Sequence, residues 1–246
     1  MGNCSQSTWE YIDSLRYQHR RWNENIRPIL LTPYRKTASL KNMHELSRID
    51  SRLHTFEAID SVQVPDPRSW PLLCENPSSI ASDFSSFQPD ASLGLKVGAQ
   101  VVLIRNLSVK KKLVNGSRGV VIDMQRTFDP LLLRNVELPV VRFNSGGVYI
   151  IGYHEFVTMQ SSQFDMEGFD VKRLQIPLKL GWGITIHKSQ GMTLDRVVLD
   201  LQRAFAPGHA YVAMSRVRSP QGLSLVNFGP ESILVSRRAQ QFYSSF

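Results

Sequence analysis

The stretch from Leu178 to Leu201, LKLGWGITIHKSQGMTLDRVVLDL, constrains the fold more than any other part of the chain. Leu178, Leu180, Trp182, Ile184 and Ile186 alternate with Lys179, Gly181, Gly183 and Thr185, the period of a strand with one well-buried face. The pattern stops at His187-Lys188-Ser189-Gln190-Gly191, which supplies donors, a charge and a glycine but no core former. A second apolar run, Val197-Val198-Leu199, follows closely. A strand that ends in a short cationic turn and returns as another strand presents side chains to a phosphate-bearing ligand.

The rest of the sequence is compatible with such a ligand. At 246 residues the chain forms one large domain or two small ones with a real core. Its hydrophobic and charged fractions, 42% and 20%, are those of a globular protein, so a disordered chain is excluded. The formal net charge of +8 favours an anionic partner, commonly nucleic acid, although charge alone also fits a basic protein that binds nothing acidic. Cys4 and Cys74 lie far apart and form no metal or disulfide pattern, which points to a reducing, intracellular compartment. No apolar run approaches the ~18 residues of a membrane span, and no membrane partner is expected. The start, Met1-Gly2-Asn3-Cys4-Ser5-Gln6, has Gln6 where a myristoylation signal has Ser or Thr, and is expected to be an ordinary disordered start.

Helical spacing of Trp9, Ile12 and Leu15 predicts a helix over 7–22, capped by Ser7 or Thr8. Ile29-Leu30-Leu31-Thr32 reads as a buried strand, followed by a helix opened by Thr37 or Ser39. From Val64 to Ser92 prolines and serines dominate, the composition of a linker or irregular surface loop. From Leu95 the chain turns to β: a strand through Val97, Val101 and Leu103, a turn at Asn115-Gly116, and strands at 138–144, 147–151 and 154–160. Short strands at such spacing suggest a small barrel. Pro207 opens a helix carrying Tyr211, Val212, Met214 and Val217; Leu223–Phe228 is a closing strand, and Arg237–Phe246 a terminal helix.

Three stretches, in order, also carry a resemblance. ITIHKSQGMTLD is similar to motif V of superfamily-one DNA helicases of the petite-integration-frequency (Pif) branch, and LKVGAQVVLIRNLSVKKKLVNGSRGVV (95–121) and GHAYVAMSRVRS (208–219) match the same branch. The likeness runs from about Ile29 to Phe246. It implies an α/β fold: a RecA-like second motor domain of the P-loop NTPase helicase type, interrupted by a small SH3-like β-barrel insertion. The corresponding division is 1–92 and 177–246 for the motor domain, with 93–176 as the barrel.

The resemblance also assigns roles. Arg216, in AMSRVR, matches the arginine finger on the γ-phosphate, a planar and permanently charged fork suited to phosphate. A surface salt bridge is the alternative from the residues alone. Gln190 and Gly191 face nucleotide, as do Arg218 and, from the motif IV position before Asn42, Arg35. His187, Lys188 and Ser189 match residues that touch the backbone of single-stranded DNA. In the barrel Arg105, Lys111 and Arg118 suit non-sequence-specific single strands, although a basic run is also compatible with a plain solvated loop.

No GxxxxGK[ST] sequence occurs, so a phosphate-cradling loop is absent from the chain. The implied function is therefore that of the C-terminal half of an ATP-dependent 5′–3′ DNA helicase of replication, repair, recombination or telomere maintenance. ATP and Mg2+ are its cofactors, with the Mg2+ ligands in the other half. Its partners are single-stranded DNA and a first RecA-like motor domain in cis or in trans, in the nucleus or mitochondrion. Alone, the chain is expected neither to hydrolyse ATP nor to unwind duplex. The alternative is a degenerate relative that acts as a non-catalytic DNA-binding or protein-interaction module.

Overall fold

The computed structural model describes residues 5–21, 27–63, 87, 89–160, 169–202, 207–229, 232–236, 238 and 241–242. Cys4, Cys74, most of the Pro/Ser-rich stretch and most of the expected terminal helix lie outside them. Two compact units form: one from residues 1–50, 99–120 and 180–246, the other from 51–98 and 121–179. These units do not follow the expected boundaries, because residues 99–120 pack with the first unit and not within a continuous 93–176 insertion.

The first unit is built on a parallel sheet of β1 (Ile29–Thr32), β12 (Gly183–Thr185), β13 (Val197–Asp200) and β14 (Leu223–Val226), in the order β12-β1-β13-β14. The register sets Thr32 beside Thr185 and Leu199 beside both Leu31 and Leu225. Parallel strands buried on both faces read as continuous apolar runs, and Ile29, Leu31, Ile186, Val197, Leu199 and Leu225 have no exposed surface. The expected single alternating strand over 178–186 instead divides into β11 (Leu178–Leu180) and β12. Lys179 and Thr185, on the expected outer face, are buried as well.

Helix α2 (Arg35–Ser47) covers β12. The backbones approach so closely that a Cβ at Gly183 would stand 2.8 Å from the Ala38 carbonyl oxygen. Buried Glu45 of α2 accepts from Lys41 Nζ at 2.8 Å and Arg27 Nη1 at 2.7 Å. Burial pushes the Glu45 carboxyl up, but the Lys41 hydrogen bond and the Lys41, Arg27 and Arg48 charges outweigh it and hold the group below its usual range.

Helix α1 spans Gln6–Ser14, capped by Ser5 and not by Ser7 or Thr8: the Ser5 hydroxyl accepts from the Thr8 N–H. The helix ends well short of residue 22 because the chain is taken up by the sheet. Leu225 N–H donates to the Leu15 carbonyl, and Tyr17 N–H donates to the Leu225 carbonyl. A 3-10 turn, Gln18–Arg21, follows.

In the second unit, β2 (His54–Glu57) pairs antiparallel with β4 (Ser92–Leu95), and β10 (Phe169–Gln175) lies between β3 (Ile59–Gln63) and β9 (His154–Gln160). Buried Arg173 binds Asp60 through Nε and Nη2 at 2.7 and 2.6 Å and donates from Nη1 to the Pro89 carbonyl. Gln175 donates to the carbonyls of Phe56, Asp90 and Ala91. The long strand β6 (Arg118–Asp129) starts in the first unit, beside β5 (Gln100–Leu103), and its remainder forms a hairpin with β7 (Arg134–Phe143), which pairs onward with β8 (Val148–Ile150).

Candidate nucleic-acid interface

Parallel α/β sheets bind ligands outside the carboxyl ends of their strands. The carboxyl ends of β1 and β12 lie side by side here, because Ile186 N–H donates to the Thr32 carbonyl. After β1 the chain enters α2 at exposed Arg35. After β12 it makes a 3-10 turn over His187–Ser189, the predicted polar turn. In a 3-10 turn residues three apart share a face. Ile186, Ser189 and Met192 accordingly point inward, with 0%, 0% and 2% exposure, while His187 is exposed and Lys188 half-buried.

Ser189 is thus not presented to a ligand through its side chain. Its hydroxyl donates to the Ile186 carbonyl at 2.7 Å and holds the turn. Gln190 is exposed, and Gly191 takes a φ of +76°, a left-handed conformation that strains any residue with a Cβ.

The loop after β5 packs onto this turn. Asn115 Nδ2 donates to the Gly191 carbonyl at 3.4 Å. A Cβ at Gly116 would stand 2.8 Å from the Thr193 carbonyl oxygen, and Gly116 has a φ of +92°. The Asn-Gly pair is therefore both a turn and a clamp on the predicted DNA turn. Arg105, Lys110, Lys111 and Lys112 of this loop are exposed. Arg118 is not: it is 3% exposed, and its Nη2 donates to the Arg27 carbonyl. Its guanidinium ties β6 to the segment just before β1, so Arg118 is not the exposed contact to single strands expected of it.

Helix α3 (His209–Met214) follows Gly208, whose φ of +80° supplies the left-handed start. Pro207 sits before that cap and not inside the helix. Two residues past the helix, half-buried Arg216 donates from Nε to the Val212 carbonyl at 3.1 Å and from Nη2 to Ser215 Oγ at 3.0 Å. Nη1 stands outside these two bonds, so the fork is oriented but not consumed by them. Arg218 is exposed and pairs with Asp195 at 3.2 Å.

Two links join the arginine segment to the turn. Leu194 N–H donates to the Arg216 carbonyl at 2.8 Å, and Arg218 N–H donates to the Leu194 carbonyl at 2.9 Å. The rings of His187 and His209 meet edge-on, with centroids 4.9 Å apart. His209 is buried, and that burial, with the His187 charge second, holds its pKa below the ordinary histidine value. Sequence reasoning missed His209, since nothing local shows that it meets a residue on another element. Among the described residues no group of three or more His, Cys, Asp or Glu is placed to hold a metal ion.

The human ATP-dependent DNA helicase PIF1 is 35% identical over all 246 residues of the chain, which cover 34% of the human protein. The chain belongs to the Pif1 helicase family. Residues 82–124 match the family model described as DNA helicase Pif1, 2B domain. The crystal structure of Pif1 helicase from Candida albicans is 28% identical with a TM-score of 0.66, covering 99% of this chain and 55% of that one. Bacteroides Pif1 in complex with ADP-AlF3 and ssDNA has the same fold at 22% identity and a TM-score of 0.60, covering 98% of this chain and 50% of that one. This Pif1-family chain thus spans about a third of the length of its human relative and about half of the solved ones.

Proposed function

We propose that the chain is the second RecA-like half of an ATP-dependent 5′–3′ DNA helicase motor. It contributes single-stranded DNA contacts and the arginine finger, and a first motor domain in cis or in trans completes it. The observation that carries this reading is the pair of backbone hydrogen bonds between Leu194 and the Arg216–Arg218 segment. Leu194 is fully buried and closes the polar turn, so a shift of that turn reaches Arg216 within one hydrogen bond.

In this reading His187 and Lys188 contact the DNA backbone, with Arg105 and Lys111 on the neighbouring loop. Gln190 and Gly191 face nucleotide together with Arg35, Arg216 and Arg218. ATP with Mg2+, when bound in the complete motor, supplies the phosphoryl group that is transferred to water. The oriented guanidinium of Arg216 fits the charge that develops there, and the Mg2+ ligands belong to the first motor domain. Residues 93–176, which the two compact units divide between them, are read as the small SH3-like insertion of the motor. The Bacteroides relative, solved with ADP-AlF3 and ssDNA, supports both ligand classes.

The test is co-expression with a first motor domain and measurement of DNA-stimulated ATP hydrolysis. Arg216→Ala is expected to lower kcat by about 10^3- to 10^5-fold while single-stranded DNA affinity is retained. The chain alone is expected to hydrolyse no ATP. A completed Arg216→Ala motor that turns over at the wild-type rate would reject the assignment.

A further inference from the structure

A hydroxyl residue stands before a proline twice in the chain, at Thr32-Pro33 and at Ser219-Pro220. That pair is what a proline-directed kinase recognises, and the fold treats its two copies oppositely. Thr32 is 2% exposed at the end of β1, beside Thr185, and Pro33 after it is buried too. Ser219 is half-buried, and Arg218, Pro220 and Gln221 around it are exposed. Its backbone is extended, with φ −151° and ψ +154°, as a residue before proline prefers. A kinase cleft takes its substrate segment in that conformation. The Ser219 side chain makes no capping hydrogen bond to the 3-10 turn Pro220–Gly222 that follows, so no such bond has to break before it reacts.

Two guanidinium groups already lie at this segment. Arg218 Nε pairs with Asp195 at 3.2 Å, and Arg196 Nη1 donates to the Gln221 carbonyl at 3.1 Å. The packing beneath them is tight: a Cβ on Gly222 would collide with the Asp195 carbonyl oxygen. A phosphate on Ser219 brings a charge of about −1.5 to −2 and three strong acceptor oxygens. Such a group competes with the single carboxylate of Asp195 for Arg218 and repels that carboxylate.

We propose that Ser219 is a phosphorylation site for a proline-directed serine/threonine kinase, and that Arg218 holds the phosphate. The kinase moves the γ-phosphoryl group of ATP onto Ser219 Oγ. The bond from the γ-phosphorus to the β–γ bridging oxygen breaks, the Oγ–P bond forms, ADP leaves, and the hydroxyl proton passes to the kinase's carboxylate base. The new charge stands three residues from Arg216, on the segment that Leu194 clamps through the Arg216 carbonyl and the Arg218 N–H. It therefore opposes the phosphates of a bound nucleotide and takes Arg218 from them. This effect on turnover rests on the reading that Arg216 and Arg218 face nucleotide.

The test incubates the full chain with a cyclin-dependent kinase and Mg2+-ATP and follows its intact mass, beside Ser219→Ala and a peptide spanning Arg216–Gly222. The peptide and the wild type should each gain one phosphate, and Ser219→Ala none. A folded wild type that gains none, or a Ser219→Ala chain that gains as much, would overturn the site. Phosphorus NMR of the modified chain should show the second ionisation of the phosphate below its usual value of about 6, and Arg218→Ala should return it there. A wild-type midpoint at that usual value would remove Arg218 as the holder. In the motor completed by co-expression, Ser219→Glu should raise KM for ATP about fivefold or more, the low end of coupling between two sites, while Ser219→Ala keeps wild-type turnover. An unchanged KM in Ser219→Glu would overturn the effect on turnover. A completed motor of unmodified chain that hydrolyses no ATP rejects the motor reading, while mass and phosphorus NMR still decide the site.

Discussion

Asn42 closes its whole amide on the backbone of the strand below it. Its Nδ2 donates to the Gly183 carbonyl at 2.8 Å, and its Oδ1 accepts from the N–H groups of Gly183 and Trp182 at 2.8 and 3.3 Å. This clamp holds α2 on β12 directly upstream of the His187–Gly191 turn. Asn42→Ala leaves part-buried backbone groups without partners and is expected to destabilise the chain by about 1–3 kcal/mol. Asn42→Asp keeps the size but loses the donor, and should recover little of that. Urea midpoints of the three proteins check both statements.

Two glycines with nearly the same backbone separate strain from collision. Gly116 and Gly146 have φ values of +92° and +91°, but a Cβ on Gly116 meets Thr193 backbone and a Cβ on Gly146 meets nothing within 4 Å. Gly146→Ala is expected to cost about 1–2 kcal/mol, the penalty for a left-handed alanine. Gly116→Ala should cost more and also displace the turn, weakening single-stranded DNA binding as Gly146→Ala does not. Thermal melts paired with an anisotropy titration read both effects.

Much of this architecture is legible in the sequence because its signals are local. Ile29–Thr32, Val197–Leu199 and Leu223–Val226 are apolar runs of strand length, and the polar turn after Ile186 stands out against them. What fails to show is set by distant partners. The helix begun at Gln6 stops because Leu15 and Tyr17 pair with Leu225, some two hundred residues away. Arg118 and Ser189 look like surface contacts in basic and polar neighbourhoods, and only the fold shows both facing inward. The grouping of 99–120 with the first unit follows from Gly116 and Asn115 against 191–193, a contact no composition predicts.

Acid should weaken the first unit in two stages. His209 is held below its ordinary pKa by burial and then by His187; His19, bonded through Nδ1 to Ser224 Oγ at 2.7 Å, is held below by burial and then by Arg20. On unfolding each regains its ordinary value of 6.5, so below that pH the unfolded chain binds protons that the folded chain does not. Stability therefore falls as pH drops through 6.5 towards the folded values. Glu45 has the same sign lower down: its folded pKa is depressed from 4.5, so its contribution is present above that pH and is lost as pH falls further. Urea unfolding from pH 8 to pH 4 should show both losses, and His209→Gln should flatten the upper one. A stability curve level between pH 7 and pH 5 would contradict this account.

Adjacent residues of the turn should separate cleanly in function. Lys188 is half-buried with its N–H bonded to Thr185 Oγ1 at 3.3 Å, whereas Ser189 is buried and its hydroxyl is bonded to Ile186. If Lys188 meets a phosphate, Lys188→Ala removes one cation from a salt-dependent interface. The slope of log affinity against log salt should then fall by about 0.7, the value for one single-strand phosphate, with little change in stability. Ser189→Ala keeps the charge and removes an interior hydrogen bond, so it should cost about 0.5–1.5 kcal/mol of stability and leave the slope intact. His187→Ala should weaken binding by removing a ring donor next to Lys188, with a smaller change in slope than Lys188→Ala. The three slopes, measured on one oligothymidylate at several salt concentrations, test the assignment residue by residue. A slope unchanged in Lys188→Ala would remove that lysine from the interface.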